Sequence, residues 1–210
     1  MKKPTTTSPI PLALSLILTA LLPHTAAADE ASFRAALKTI PPKYLAEIPL
    51  ANRDIMFREL ATDTKPDRLD AKKGWLHFYS DGGNVQGKSM IWAKELPRTG
   101  KPPLMFIHMA KPFAGQTEGK PAADQTYVLE PVGDEWLDVT KSVIPAIIDM
   151  TMHFRTRRED TIVEVAPWQE FKRQDNGDKA YTYGKRTHDL RWNGNGFIVQ
   201  EPAAEKLTDN

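Results

Sequence analysis

The sequence contains no cysteine among its 210 residues. No disulfide can brace the fold, no lipid can be attached through a cysteine, and no thiolate can hold a metal. Small exported domains often lean on disulfides, so this chain must be held by its apolar core. Charge of one sign is not in excess either: 28 basic residues face 27 acidic ones, a formal net charge of +1. That balance removes the electrostatic reason to expect nucleic acid or an anionic membrane surface as partner. Long hydrophobic runs are missing too. The longest, Leu12–Leu22, is broken by Ser15 and Thr19, and about 11 residues fall well short of the ~20 that cross a bilayer.

What that short run does fit is an export signal. Lys2 and Lys3 precede it, and Ala26-Ala27-Ala28 follows it before Asp29. A positive start, an apolar centre and a small-residue site are the three parts of a secretory signal peptide, with cleavage expected after Ala28. No Arg-Arg pair precedes the run, which favours the general secretion route over the twin-arginine one. The expected location is the periplasm or the medium. Loss of the signal removes Lys2 and Lys3 and leaves 182 residues with 26 basic and 27 acidic side chains. That length suits one domain with a sizeable core, or two small units.

Past the signal, the periodicity predicts helices first and strands later. Phe33, Ala36 and Leu37 share a helical face, and Pro41-Pro42 breaks it. A second helix is expected to carry Tyr44, Leu45 and Ile48, and a third Ile55, Met56, Phe57 and Leu60. Residues 62–73 are polar and read as a loop. From Gly74 the period becomes two: Trp75, His77 and Tyr79 alternate with Leu76 and Phe78. Residues 89–96, 103–110, 126–131 and 136–139 read as further strands, with 111–125 a long connection. Val143, Ile147, Met150 and Phe154 recur at helical spacing and predict a central helix, its C-terminal dipole complemented by Arg155, Arg157 and Arg158. Strands are expected again at 161–166, 170–173, 179–183, 188–192 and 197–200, with Asn-Gly turns between some of them. The fold class expected is α+β: N-terminal helices and one central helix on antiparallel sheets. The hairpins LEPVGDEWL (129–137) and LRWNGNGFI (190–198) align without a gap, which raises a tandem repeat of units 29–140 and 141–210.

Gly82, Gly87, Lys88 and Ser89 complete G-x-x-x-x-G-K-S, the letters of a phosphate-binding loop. That chemistry needs a buried parallel strand before the loop and a helix after it. Here the preceding strand is half polar, and SMIWAKEL stops at Pro97. The segment therefore reads as the turn of a hairpin, and no nucleotide site is expected. His77, His108, His153 and His188 are never two to four residues apart, so their spacing gives no metal site and no cofactor is expected. His188-Asp189 could form a dyad, but no G-x-S-x-G supplies a serine. Asp134, Glu135, Glu164 and Asp189 could contain an acid pair for glycoside cleavage. Trp75, Tyr79, Trp92, Tyr181, Tyr183 and Trp192 would make a platform for a glycan or protein partner if they shared an exposed sheet face.

The stretch TIPPKYLAEIPLANRDIMFREL, followed by short strands, resembles exported proteins of gut bacteria known as domains of unknown function. The resemblance spans residues 38–130 and implies an exported α+β module with no activity to carry over. The expectation is therefore a non-enzymatic, secreted or periplasmic binding protein for an unknown protein or glycan. It has no nucleic-acid partner and no integral membrane span. The alternatives are an extracytoplasmic hydrolase and a self-associating envelope protein.

Overall fold

The computed structural model describes residues 30–45, 48, 50–51, 53–55, 69–80, 89–111, 122–172 and 179–202. The export-signal segment and residues 81–88, which hold most of the phosphate-loop letters, lie outside them. Helix α1 (Glu30–Thr39) buries Phe33 and Leu37 and carries an Arg34–Glu30 pair one turn apart. It stops where the residue before a proline is pushed toward extended backbone, at Pro41-Pro42. The second helix expected over Tyr44–Ile48 is instead one 3₁₀ turn, Pro42–Tyr44, which Leu45 leaves with φ −144°. Residues 50–51 and 53–55 are helical, and the rest of the third expected helix lies outside the described residues.

Strands β1 (Leu69–Asp70), β2 (Trp75–Ser80), β3 (Ser89–Arg98), β4 (Lys101–Lys111), β5 (Ala122–Val132) and β6 (Glu135–Asp138) form a six-stranded antiparallel meander in chain order. The polar segment read as a loop thus ends in β1 and a 3₁₀ turn, Ala71–Lys73, capped by Asp70 and closed by Gly74 at φ 56°. Ser89 opens β3 and pairs with Ser80, so a strand, not a helix, follows the glycine-rich segment. Four later strands, β7 (His153–Thr156), β8 (Ile162–Ala166), β11 (His188–Trp192) and β12 (Phe197–Gln200), make a second antiparallel sheet in the order β12-β11-β8-β7. Between β8 and β11 the chain detours through a hairpin, β9 (Trp168–Lys172) with β10 (Lys179–Tyr183).

The expected central helix is corrected by the structure. Only Thr140–Val143 is helical (α2), and Ile144 is already extended at φ −89°, ψ 126°. Pro145 is the reason, because its ring clashes with a helical residue before it. Ile147 is 78% exposed, while Ile144, Ile148 and Phe154 are buried. The arginines after it cap no helix: Arg155 and Arg157 bond Glu164, and Arg158 bonds Asp70 on β1. The molecule is mostly antiparallel sheet with few helices.

Alternation along the meander divides two cores. Leu76, Ile91, Ala93, Met105, Ile107, Met109 and Leu129 pack with Phe33, Leu37, Ile40 and Leu45 on the helical side. Leu96, Leu104, Phe106 and Val128 face the second sheet, where Phe154, Val163, Val165, Leu190, Trp192 and Phe197 meet them. The meander is therefore a middle layer, covered on both faces.

Candidate functional site

The face of the meander that meets the second sheet is not apolar throughout. Strand register sets His77 opposite Trp92, Trp92 opposite His108, and His108 opposite Thr126, a row across four strands. The His77 and Trp92 rings stack at 4.8 Å and 12°, and Trp92 lies 5.8 Å from His108. Asp124 is two residues before Thr126 on β5, so the period of a strand puts it on the same face. His153, at the start of β7, comes down on this row from the opposite sheet.

The side chains converge on one point. His108 Nε2 lies 2.9 Å from His153 Nδ1, and Asp124 Oδ2 is 3.2 Å from each. All three side chains are buried, with exposures of 0–1%. Phe154 N–H donates to His108 Nε2 at 3.3 Å. That assigns Nε2 as an acceptor and puts the ring proton on Nδ1, which donates to Thr126 Oγ1 at 2.8 Å. Trp168 Nε1–H donates to Asp124 Oδ2 at 3.0 Å. Asp124 Oδ1 and His153 Nε2 are buried with no hydrogen-bond partner among the described residues.

Burial depresses the basicity of both imidazoles, that of His153 to about 3, despite the neighbouring carboxylate. For Asp124 burial works upward, but the adjoining His108 and His153 imidazoles hold its carboxyl below the usual range. At neutral pH the cluster is thus two neutral imidazoles around an ionised carboxylate. No lysine or arginine pairs with Asp124 among the described residues. Each of His108, Asp124 and His153 offers one ligating atom, and these atoms lie close enough to share a metal ion.

The hairpin β9–β10 covers the cluster with the pair at its base, Trp168 opposite Tyr183. Tyr183 stacks on His153 at 3.9 Å and 25°, and Trp168 lies 4.9 Å from the same imidazole. Burial, then the charge of Asp124, raises the Tyr183 phenol above its ordinary range. His153 and Tyr183 also wall a pocket of about 690 Å³ with Arg155, Glu164, Lys185 and Arg186. Glu164 accepts from Arg155 (3.0 Å), Arg157 (2.8 Å) and Arg186 (2.8 Å). Asp189 is opposite it on β11 and pairs with Arg186 at 3.3 Å. Gly184 fits close against the start of the hairpin: a Cβ there would meet the Pro167 carbonyl at 2.9 Å.

The residues singled out in the sequence fall in several places. Trp75, Trp92 and Trp192 are buried, so they present no exposed platform. Trp92 belongs to the histidine row and Trp75 lies beside its His77 at 6.3 Å, while Trp192 sits in the second core and donates to the Pro97 carbonyl at 2.6 Å. Tyr183 is half-buried at the base of the hairpin; the side chains of Tyr79 and Tyr181 lie outside the described residues. His188 bonds its neighbour Thr187. Asp134 and Glu135 are exposed at the β5–β6 turn. Glu164 and Asp189 do converge, but on arginines.

The sequence reading missed the cluster of His108, Asp124 and His153. Its members are 16 and 29 residues apart on three strands, with no spacing signature. The available signal was phase at His108, a polar residue at a position that alternation assigns to a buried face; Asp124 falls in the segment 111–125 that reads as a connection, whereas β5 already begins at Ala122.

Among the described residues no helix is long and apolar enough to cross a membrane. No protein-family model matches the chain, and neither the curated proteins nor the solved structures contain a match to it.

Proposed function

We propose that this is an exported, non-enzymatic binding protein whose pocket beside His153 and Tyr183 takes a small organic anion. The observation that carries the proposal is the charge of the pocket wall. Arg155, Lys185 and Arg186 line it, and of its two acids Glu164 is already matched from outside by Arg157. Guanidinium groups bind carboxylates in bidentate fashion, and Arg155, half-exposed with its guanidinium carbon 5.9 Å above the Tyr183 ring, would exchange its 3.0 Å bond to Glu164 for one, leaving that acid to Arg157 and Arg186. A volume of about 690 Å³ is within the range of small-molecule sites. The export signal supports a periplasmic or extracellular setting.

Binding is favoured over glycoside hydrolysis because of Glu164. Burial opposes its ionisation, yet hydrogen bonds and charge from Arg157, Arg155 and Arg186 hold its carboxyl below the ordinary range. A proton-donating acid needs the opposite shift.

Isothermal titration with a panel of acidic sugars, dicarboxylates and their neutral analogues tests the reading. Anions are expected to bind, and Arg155→Gln with Lys185→Gln should weaken them at least tenfold. Equal binding of the neutral analogues, or no effect of the double substitution, would refute it.

A further inference from the structure

We infer that His108 Nε2, His153 Nδ1 and Asp124 Oδ2 form a binding site for one divalent first-row transition metal ion, which ties the meander to the second sheet. The inference does not rest on the proposed anion pocket, although His153 borders both.

Three observations carry this. The first is distance. The triangle has sides of 2.9, 3.2 and 3.2 Å. An ion about 2.05 Å from each atom would stand about 1 Å above their plane, with ligand–metal–ligand angles near 100°. The triangle needs no widening to accept it, and the ion would take the His108 Nε2 lone pair from the Phe154 N–H that now donates to it. The second is charge. A fully buried carboxylate with no lysine or arginine partner among the described residues is costly unless something positive meets it, and buried charges are paired or coordinate metals. The His108 lone pair, the carboxylate and an imidazole whose proton can pass from Nδ1 to an Nε2 without a partner among the described residues meet at one point, which invites a cation. The third is support. Thr126 accepts from the outer nitrogen of His108, so that ligand is oriented from behind, as metal ligands usually are, and Trp168 Nε1–H fixes Asp124 by donating to the ligating oxygen Oδ2 itself.

The donor set narrows the ion. Two imidazoles with one carboxylate suit zinc, iron, cobalt or nickel, whereas magnesium and calcium prefer oxygen alone. Asp124 Oδ1, without a partner among the described residues, leaves a second oxygen for a higher coordination number. The ligands sit on β4, β5 and β7, so the ion would cross-link the two sheets.

Cobalt(II) is the probe, titrated into the full chain after treatment with a chelator. One equivalent should bind with visible d–d absorption, and melting should rise by about 5–10 °C at a hundredfold excess over Kd. Asp124→Asn, nearly isosteric, should weaken binding at least thirtyfold, and Trp168→Phe about tenfold. X-ray absorption of the loaded wild-type chain should show two imidazole ligands, and it decides the matter if a variant fails to fold. A folded wild-type chain that takes up no cobalt, an affinity unchanged in folded Asp124→Asn, or fewer than two imidazoles would each overturn the inference. A proton shared within the cluster would then be what meets the carboxylate.

Discussion

Removing the guanidinium of Arg53 should unfasten α1 from the molecule. Arg53 is 1% exposed. Its Nε donates to Ile48 O at 3.0 Å, and its Nη1 donates to Leu37 O at 2.9 Å, Lys38 O at 3.1 Å and Ile40 O. These include carbonyls at the C-terminal end of α1, which have no partner inside the helix. A buried cation at that end also complements the helix dipole. A hydrogen bond from a charged donor contributes about 1.5–3 kcal/mol. Four such bonds do not sum, because they share one charge whose burial costs several kcal/mol. Arg53→Met strands the carbonyls but also relieves that burial, so the net loss should be about 3–5 kcal/mol. For a chain of this size that is a drop in Tm of about 10 °C. Arg53→Lys keeps the charge with fewer donors and should lose about half as much. Urea denaturation followed by tryptophan fluorescence and circular dichroism measures both. A methionine variant within about 1 kcal/mol of wild type would show that the carbonyls find other partners. A lysine variant as damaged as the methionine one would show that the fork geometry, not the charge, holds the helix end.

Two pH dependences follow from buried charges. Burial lowers the Lys94 ammonium from 10.5 to about 8, partly offset by Asp160, Asp70 and Glu159, while its Nζ donates to Lys73 O and Arg158 O. The unfolded chain therefore holds the extra proton between those values, and stability rises with pH across that window. From about pH 7.5 to 9.5, wild type should gain about 1–2 kcal/mol over Lys94→Met in urea melts; a constant difference would refute the assignment. Glu164 shifts the other way. Its folded value lies below the ordinary 4.5 of a glutamate, so its contribution is complete above the unfolded value and is lost as pH falls through the folded one. Glu164→Gln should cost about 1–2 kcal/mol at neutral pH, and the cost should shrink steadily as pH falls below 4.5, measured by the same melts.

The sheets were legible in the sequence because alternation is a local signal. Trp75, His77 and Tyr79 against Leu76 and Phe78 gave both the strand and its two faces, and the register bears this out with Leu76 in one core and Trp75 and His77 on the other side. The strands 179–183, 188–192 and 197–200 match β10, β11 and β12 residue for residue. The central helix failed because Val143, Ile147, Met150 and Phe154 satisfied the helical period while Pro145 forbade its start. Ile144 and Ile148 are equally periodic and are the ones buried. The cluster was out of reach for another reason. His108 and Asp124 become neighbours only when β4 pairs with β5 in one register, and His153 reaches them only when a second sheet packs across. Neither event leaves a mark on sequence spacing. Arg53 was equally unmarked, since a buried arginine looks like any helix-surface arginine until its acceptors are placed.

The β9–β10 hairpin enters after Pro167 and returns at Gly184, whose amide closes the loop onto the Pro167 carbonyl at 2.8 Å. On either side of it, β8 and β11 pair with each other directly. The hairpin is thus an insertion into an otherwise complete sheet, and Trp168 and Tyr183 are its first and last residues. Frame and cover are separable modules. A chain lacking 168–183 would keep the register of the second sheet and the His108–Asp124–His153 cluster while opening it to solvent, and the hairpin's length beyond that base pair is free to vary without touching the cluster.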